Sequence, residues 1–363
     1  MSRILVVNAG SSSVKLSLLD GTGTERTDSV DPDDAAGGIA RFLTGTADPD
    51  GVGHRVVHGG TEFTGPVRVD DDVLDRIERL RTLAPLHQGP AVAALRHTRE
   101  ALPGVGQVAC FDTAFHATMP AAASTYAVPA RWRDEFGVRR YGFHGLAHEW
   151  AARRTAQILG RPVGDLRIVN AHLGSGASLC AIHGGVSVDT TMGFTPTAGL
   201  VMGTRSGDLD PAVPLWLVER GLDRAEVAED LDRHSGLLGL TGRSDTRVVE
   251  EAAGRGDPEA VLALQVWAHR ARAQVAAMVA AMGGIDALTF SGGVGEHRPG
   301  MRARITDGLG FLRIALDHGR NERADGGGDA VISPDGSAVT SLVVGAREDL
   351  VVAEQVRSVL DRP

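Results

Sequence analysis

Glycines and small hydroxyl residues between two apolar strands offer N–H and O–H donors to an anion, and such turns hold phosphate oxygens. The chain has two of them. In ILVVNAGSSSVKLSLLD, residues 4–20, an apolar hairpin is interrupted by Asn8, Ser11, Ser13 and Lys15. In LRIVNAHLGSGASLCAIHGG, residues 166–185, a second Val-Asn-Ala strand runs into His172, Gly174, Ser175 and Gly176. Lys15 is the only lysine among 37 basic residues, and a compact ammonium suits a phosphate. Either turn alone also reads as simple hairpin closure. The spacing is not a Walker A loop, because Val14 precedes Lys15, and no GxGxxG follows the first strand. FSGGVGEH, residues 290–297, puts Gly293 and Gly295 in a glycine loop after a buried strand, where backbone can lie against a base or ribose.

Histidine and arginine recur beside glycine or at strand ends, in GHRVVHGG, APLHQGP, DTAFHATMP, YGFHGLAH and NAHLGSG. Five such loop-like contexts point to one shared cleft. His144 and His148 have HxxxH spacing, but no third ligand follows at a zinc-site interval, so metal binding there is disfavoured. Asp112 ends an apolar strand, where a carboxylate is costly unless it is paired or coordinates something.

The elements that must position these residues alternate between strand and helix, which predicts an α/β architecture. Strands are expected at ILVVNA, VKLSLLD, VGHRVVHGG, GQVACF, LRIVNAHL, DALTF and SLVV. Helices are expected at DDVLDRIERLRTLA, AVAALRHTREAL, LAHEWAARRTAQILG with Gly160 as its stop, PEAVLALQVWAHRARAQVAAMVAAM before Gly283, and the C-terminus. ADGGGDA reads as a flexible surface loop. The repeated Val-Asn-Ala hairpin suggests an internal duplication.

Bulk properties narrow the class. The 363 residues suffice for two domains. A net charge of −9 argues against a nucleic-acid surface. Two cysteines without a CxxC point to a reducing, cytoplasmic setting, and no segment reads as a signal peptide or membrane span.

With these blocks in this order, the chain resembles the acetate kinase family, within the wider acetate and sugar kinase, Hsp70 and actin superfamily. The similar strings are VVNAGSSSVKLSLLD, GHRVVHGG, APLH, FDTAFHATMP, RYGFHG, VDTTMGFTPTAGLVMGTRSGDLDP, SGLLGLTGRSDTR and AAMGGIDALTFSGGVGE, spread from Arg3 to Arg357. The resemblance implies two duplicated actin-like, ribonuclease H-like α/β domains around an interdomain cleft. Their expected extents are 1–114 with 350–363, and 115–349. It implies Mg²⁺-dependent, reversible phosphoryl transfer between ATP/ADP and a small carboxylate, in a homodimer without nucleic-acid or membrane partners.

Residue by residue, the resemblance implies catalytic roles for Arg55, Asp112, His144, His172 and Arg205, with Arg55 also binding substrate. Val57, Leu86, Phe143 and Pro196 match an acyl pocket. Ser11, Ser13, Lys15, His172, Gly174, Ser175, Gly176, Asp245, Arg247, Gly293 and Gly295 match nucleotide and phosphate positions. Asn8 and Glu348 match metal positions. Departures are Ser175 for the usual Asn, His297 in GEH for GEN, and APLHQGP for an Asn-Pro pair. The first two bear on the phosphoryl donor, for which pyrophosphate is the alternative. Propionate or butyrate is the alternative acceptor, and a non-catalytic actin-like sensor or assembly protein the alternative of another class.

Overall fold

The computed structural model describes residues 2–361 except 11, 12, 22, 32, 33, 46 and 84, and not the side chains of 82 and 85–87. The expectations for Ser11 and for the Leu86 side chain therefore lie outside the described residues.

Two compact units share the chain. The first comprises Met1–Ala117, Phe143–Trp150 and Arg347–Pro363; the second comprises Thr118–Gly142 and Ala151–Ala346. Where breaks after 114 and before 350 were expected, the first unit also takes in 143–150, which carries Phe143 and His144.

In the first unit β1 (Ile4–Ala9), β2 (Val14–Leu19) and β3 (Thr24–Val30) form an antiparallel meander. β4 (Gly51–Val56) and β6 (Gly106–Phe111) continue parallel to β1, and short β5 (Val67–Arg68) closes the edge antiparallel. The order is β3-β2-β1-β4-β6-β5. β1, β4 and β6 are covered on both faces and are buried almost throughout. One face, with Leu5, Val7 and Val52, packs with Ile39 and Phe42 of helix Ala35–Leu43. The other, with Ile4, Val6, Val108 and Cys110, packs with Val351, Val352 and Val356 of helix Glu348–Leu360. That helix approaches so closely that a β-carbon on Gly53 would meet Val352 Cγ1 at 2.4 Å, and one on Gly51 would meet Leu360 Cδ1 at 2.6 Å.

The second unit repeats the plan. β7 (Arg167–Leu173), β8 (Ala177–His183) and β9 (Val186–Thr190) form the meander. β10 (Ala287–Ser291) and β12 (Thr340–Val343) run parallel to β7, and β11 (Ala330–Val331) is the antiparallel edge. Read from its far edge, the order β9-β8-β7-β10-β12-β11 matches the first sheet strand for strand. The duplication suggested by one tripeptide is thus a duplication of topology. Helix Pro258–Met282 starts at Asp257, whose side chain accepts from Glu259 N and Ala260 N, and stops at Gly283 with φ 67°.

Two local expectations are corrected. FSGGVGEH is not an open loop: β10 ends at Ser291 and helix Gly292–His297 follows at once. APLHQGP is not a loop either, since helix Pro85–Ala101 begins within it and carries Pro90 inside.

Candidate active site

Register places the first group of candidate residues. Asn8 on β1 pairs with Lys15 on β2 and with Arg55 on β4, so the three share one row and one face of the sheet. The next residue in that row is Cys110 of β6, and Asp112 lies just past the end of that strand. Arg55 donates through Nε to Asp112 Oδ1 at 3.0 Å, through Nη2 to Asp112 Oδ2 at 2.5 Å, and through Nη1 to Asn8 Oδ1 at 3.1 Å. Glu348, first residue of the C-terminal helix, sets Oε2 3.6 Å from Arg55 Nε. Burial works against the Arg55 charge, but the carboxylates of Asp112 and Glu348 outweigh it and hold the guanidinium above its ordinary pKa. Among the described residues this leaves one N–H on each Nη for an incoming oxyanion. Lys15 is exposed, and the Ser13 carbonyl accepts from Gly10 N at 2.9 Å.

Val57 and Phe143 are buried in the same unit. The Phe143 ring meets the His58 ring edge-on at 5.4 Å. His144 is half-buried and holds φ 59°, in the left-handed region that a β-carbon disfavours. Gly145 opens helix Gly145–Leu159 with its N–H on Asp112 O at 2.9 Å, and a β-carbon there would lie 2.1 Å from that oxygen.

In the second unit His172 Nδ1 lies 3.2 Å from Ser291 Oγ, its register partner across β7 and β10. Ser291 Oγ donates to Asn170 Oδ1 at 3.3 Å. The Gly174–Gly176 turn closes through Gly174 N to Gly176 O at 2.9 Å, with Ser175 exposed at its tip. Arg205 reaches the Pro196 carbonyl at 3.4 Å through Nη1 and pairs with Asp232 through Nε at 3.1 Å. Asp245 caps helix Thr246–Gly254, accepting from Arg247 N at 2.8 Å while its other oxygen meets Arg247 Nη2 at 3.3 Å. Gly293 sits on an exposed helical turn, and a β-carbon there would find nothing within 4 Å. Glycine is disfavoured in a helix, so open space over Gly293 suits the approach of a planar ligand such as a nucleobase or ribose.

Sequence reasoning missed three residues that organise these groups. Asp232 holds Arg205 and also accepts from Thr197 Oγ1 at 3.1 Å. Glu296 gathers the N–H groups of Gly292 and Ala346, at 2.9 and 3.0 Å. Arg302, fully buried, spends its guanidinium on the carbonyls of Gly295, Glu296, Asn321 and Ala324 and on Asn321 Oδ1. Only Glu296 stood inside a quoted motif; the partners of Asp232 and Arg302 are set by tertiary packing.

No three or more His, Cys, Asp or Glu side chains group as a metal cage among the described residues. Mg²⁺ in phosphoryl-transfer sites keeps several waters and needs only one or two protein carboxylates. Asp112 and Glu348 bring two negative charges to one guanidinium, with the Asn8 amide oxygen beside them. That hard-oxygen, net-negative set fits Mg²⁺.

A sequence profile of the acetokinase family matches residues 39–354. An acetate kinase of Coprothermobacter proteolyticus is 42% identical over 99% of both chains. A propionate kinase of Citrobacter rodentium is 46% identical, over 88% of this chain and 78% of its own length. The crystal structure of Porphyromonas gingivalis acetate kinase superposes with a TM-score of 0.91 at 36% identity, covering 99% of this chain and 100% of that one. The matched profile, the near full-length identity and the shared fold together establish that this chain belongs to the acetokinase family.

Proposed function

We propose that this chain is an acetate kinase, transferring the γ-phosphoryl group of ATP reversibly to acetate to give acetyl phosphate and ADP. The observation that carries the reading is Arg55, pinned by Asp112 and Asn8 with, among the described residues, one N–H left on each Nη, in a chain of the acetokinase family. A carboxylic acid acceptor has a pKa of about 4–5, like Glu, so it is already ionised at neutral pH. The reaction therefore needs no general base. Both Asp112 oxygens are engaged by Arg55, which suits Asp112 to orienting that guanidinium.

The obstacle is repulsion between an anionic nucleophile and an anionic phosphoryl group. Arg55, Arg205, His144 and His172 lower it by placing positive charge and N–H donors where negative charge develops. Mg²⁺, held by Glu348 beside Asn8, would add neutralising charge on the phosphate oxygens. Lys15, Ser11, Ser13 and the Gly174–Gly176 turn bind phosphates. Gly293, Gly295, Asp245 and Arg247 receive the adenosine portion, and Val57 and Phe143 of the first unit meet the acyl methyl.

The Citrobacter rodentium relative favours propionate as a second acceptor. One methylene in an apolar pocket is worth only about 1–3 kcal/mol. We also assign the chain to the cytoplasm, supported by two buried cysteines, Cys110 and Cys180, that are thiols and not a disulfide, and to a homodimer. The dimer reading rests on helix Ala212–Glu219, where Leu215 is 67% and Trp216 52% exposed.

A hydroxamate assay with Mg²⁺ and ATP, run separately with acetate and propionate, tests the reading. Acetate should give the higher kcat/KM, and Arg205→Leu should lower kcat about 10²–10³-fold while moving the acetate KM far less. Product formation from pyrophosphate but from no nucleoside triphosphate would rule out ATP as donor. No acyl phosphate with either acid would rule out the enzyme.

A further inference from the structure

His144 and Arg313 are the non-glycine residues at positive φ among those described. A strained backbone of this kind persists only where its surroundings fix it. Both peptides flanking His144 are tied to one short segment that follows β6. On the C-terminal side the tie is pure backbone, Gly145 N to Asp112 O at 2.9 Å. On the N-terminal side it is a side chain: His116 Nε2 lies 2.9 Å from the Phe143 carbonyl. A carbonyl only accepts, so Nε2 carries the proton and donates. His116 is 1% exposed and cannot itself meet substrate. Its ring stands edge-on to His148 at 5.7 Å, and His148 N donates to His144 O at 3.0 Å in the first turn of the following helix.

We propose that His116 is a positioning residue whose Nε2–H bond to the Phe143 carbonyl sets both the Phe143 wall and the left-handed backbone of His144. The inference deepens the functional reading above and rests on its assignment of Phe143 to the acyl pocket and His144 to the transfer step. The peptide after His144 is held twice, by Gly145 N on Asp112 O and by His148 N on His144 O, and the shape around Gly145, where a β-carbon would collide, fixes it. The peptide before His144 is held by the replaceable hydrogen bond from His116. Losing it lets the Phe143–His144 peptide rotate and His144 relax toward φ < 0. That rotation would displace an apolar wall and a catalytic imidazole together.

The test compares His116→Leu, which removes the donor, with His116→Gln, whose amide nitrogen reaches as far as Nε2. The Leu variant should lose about 10²-fold in kcat/KM for acetate, the effect of a displacement near 1 Å. It should also change the acetate-to-propionate ratio at least threefold and leave the ATP KM within twofold. The Gln variant should recover most of the rate and the ratio. A merely structural role would lower the melting temperature and the active fraction while leaving the ratio and both KM values in place, and that result overturns the proposal. If His116→Leu does not fold, His116→Asn, whose shorter amide stops short of the Phe143 carbonyl, takes its place with the same expectations. A crystal structure of the folded variant keeps the two readings apart. His144 remaining at positive φ overturns the positioning role, whereas a wild-type chain inactive on both acids overturns only the functional assignment.

Discussion

His54 and His58 bracket Arg55, yet each is turned into the core. His54 Nε2 lies 2.9 Å from Gln107 Oε1, and His58 Nδ1 accepts from Gly60 N at 2.9 Å. Burial, the principal cause in both, lowers each pKa from 6.5 to about 4. Between those values the unfolded chain binds protons that the folded chain does not, so stability rises with pH across that window. The stabilisation is fully present above about 6.5 and is lost as pH falls toward about 4. Urea unfolding followed through hydrogen exchange of the β4 and β6 amides should weaken from pH 7 to pH 5, by on the order of 2 kcal/mol per histidine. His54→Gln should remove about half of that dependence, whereas a flat profile would contradict the assignment. These histidines looked like cleft residues in the sequence because glycines flank them. Which face of β4 is buried under helix Pro85–Ala101 is not written in an eight-residue string.

The β4 strand shows what an element adds to its residues. Gly51 and Gly53 carry no chemistry, but they let helix Glu348–Leu360 lie close enough for Glu348 to reach Arg55. Helix Gly292–His297 shows tertiary structure overriding local preference. Its three glycines argue for a loop, but Glu296 takes the Gly292 N–H while Arg302 takes the Gly295 and Glu296 carbonyls. One N–H at the start and two carbonyls at the end of a six-residue helix thereby find partners. The open space over Gly293 makes its replacement informative. Gly293→Ala should leave stability unchanged or raise it by up to about 1 kcal/mol, yet raise the KM for ADP and ATP severalfold with the acetate KM unaffected. Thermal melting and steady-state kinetics in both directions check this. Unchanged nucleotide KM values would remove Gly293 from the donor site.

At the scale of the whole molecule, the duplication and the exposed helix matter most. The two sheets share strand order and direction, including the antiparallel edge strands β5 and β11. Their chemistry has diverged at equivalent places: Asn8 faces Lys15 and Arg55, whereas Asn170 faces Cys180 and Thr289. Helix Ala212–Glu219 has no buried residue and leaves Val213, Leu215, Trp216 and Val218 exposed, an apolar face that a second copy of the chain would cover. Sedimentation should give a dimer for the native chain and a monomer for Leu215→Glu/Trp216→Glu; a native monomer would refute the assignment. The sequence by itself determined the α/β class and the main strands and long helices, and it put forward Asn8, Arg55, Asp112 and Arg205 as candidates. Apolar periodicity, helix stops and turn chemistry are local properties, so they are visible along the chain. Only the tertiary structure decided that Asp112 closes on Arg55, that Asp232 holds Arg205, and that His116 grips the peptide before His144. Each of those is a contact between residues at least 27 positions apart, and such pairings follow from how strands and helices pack.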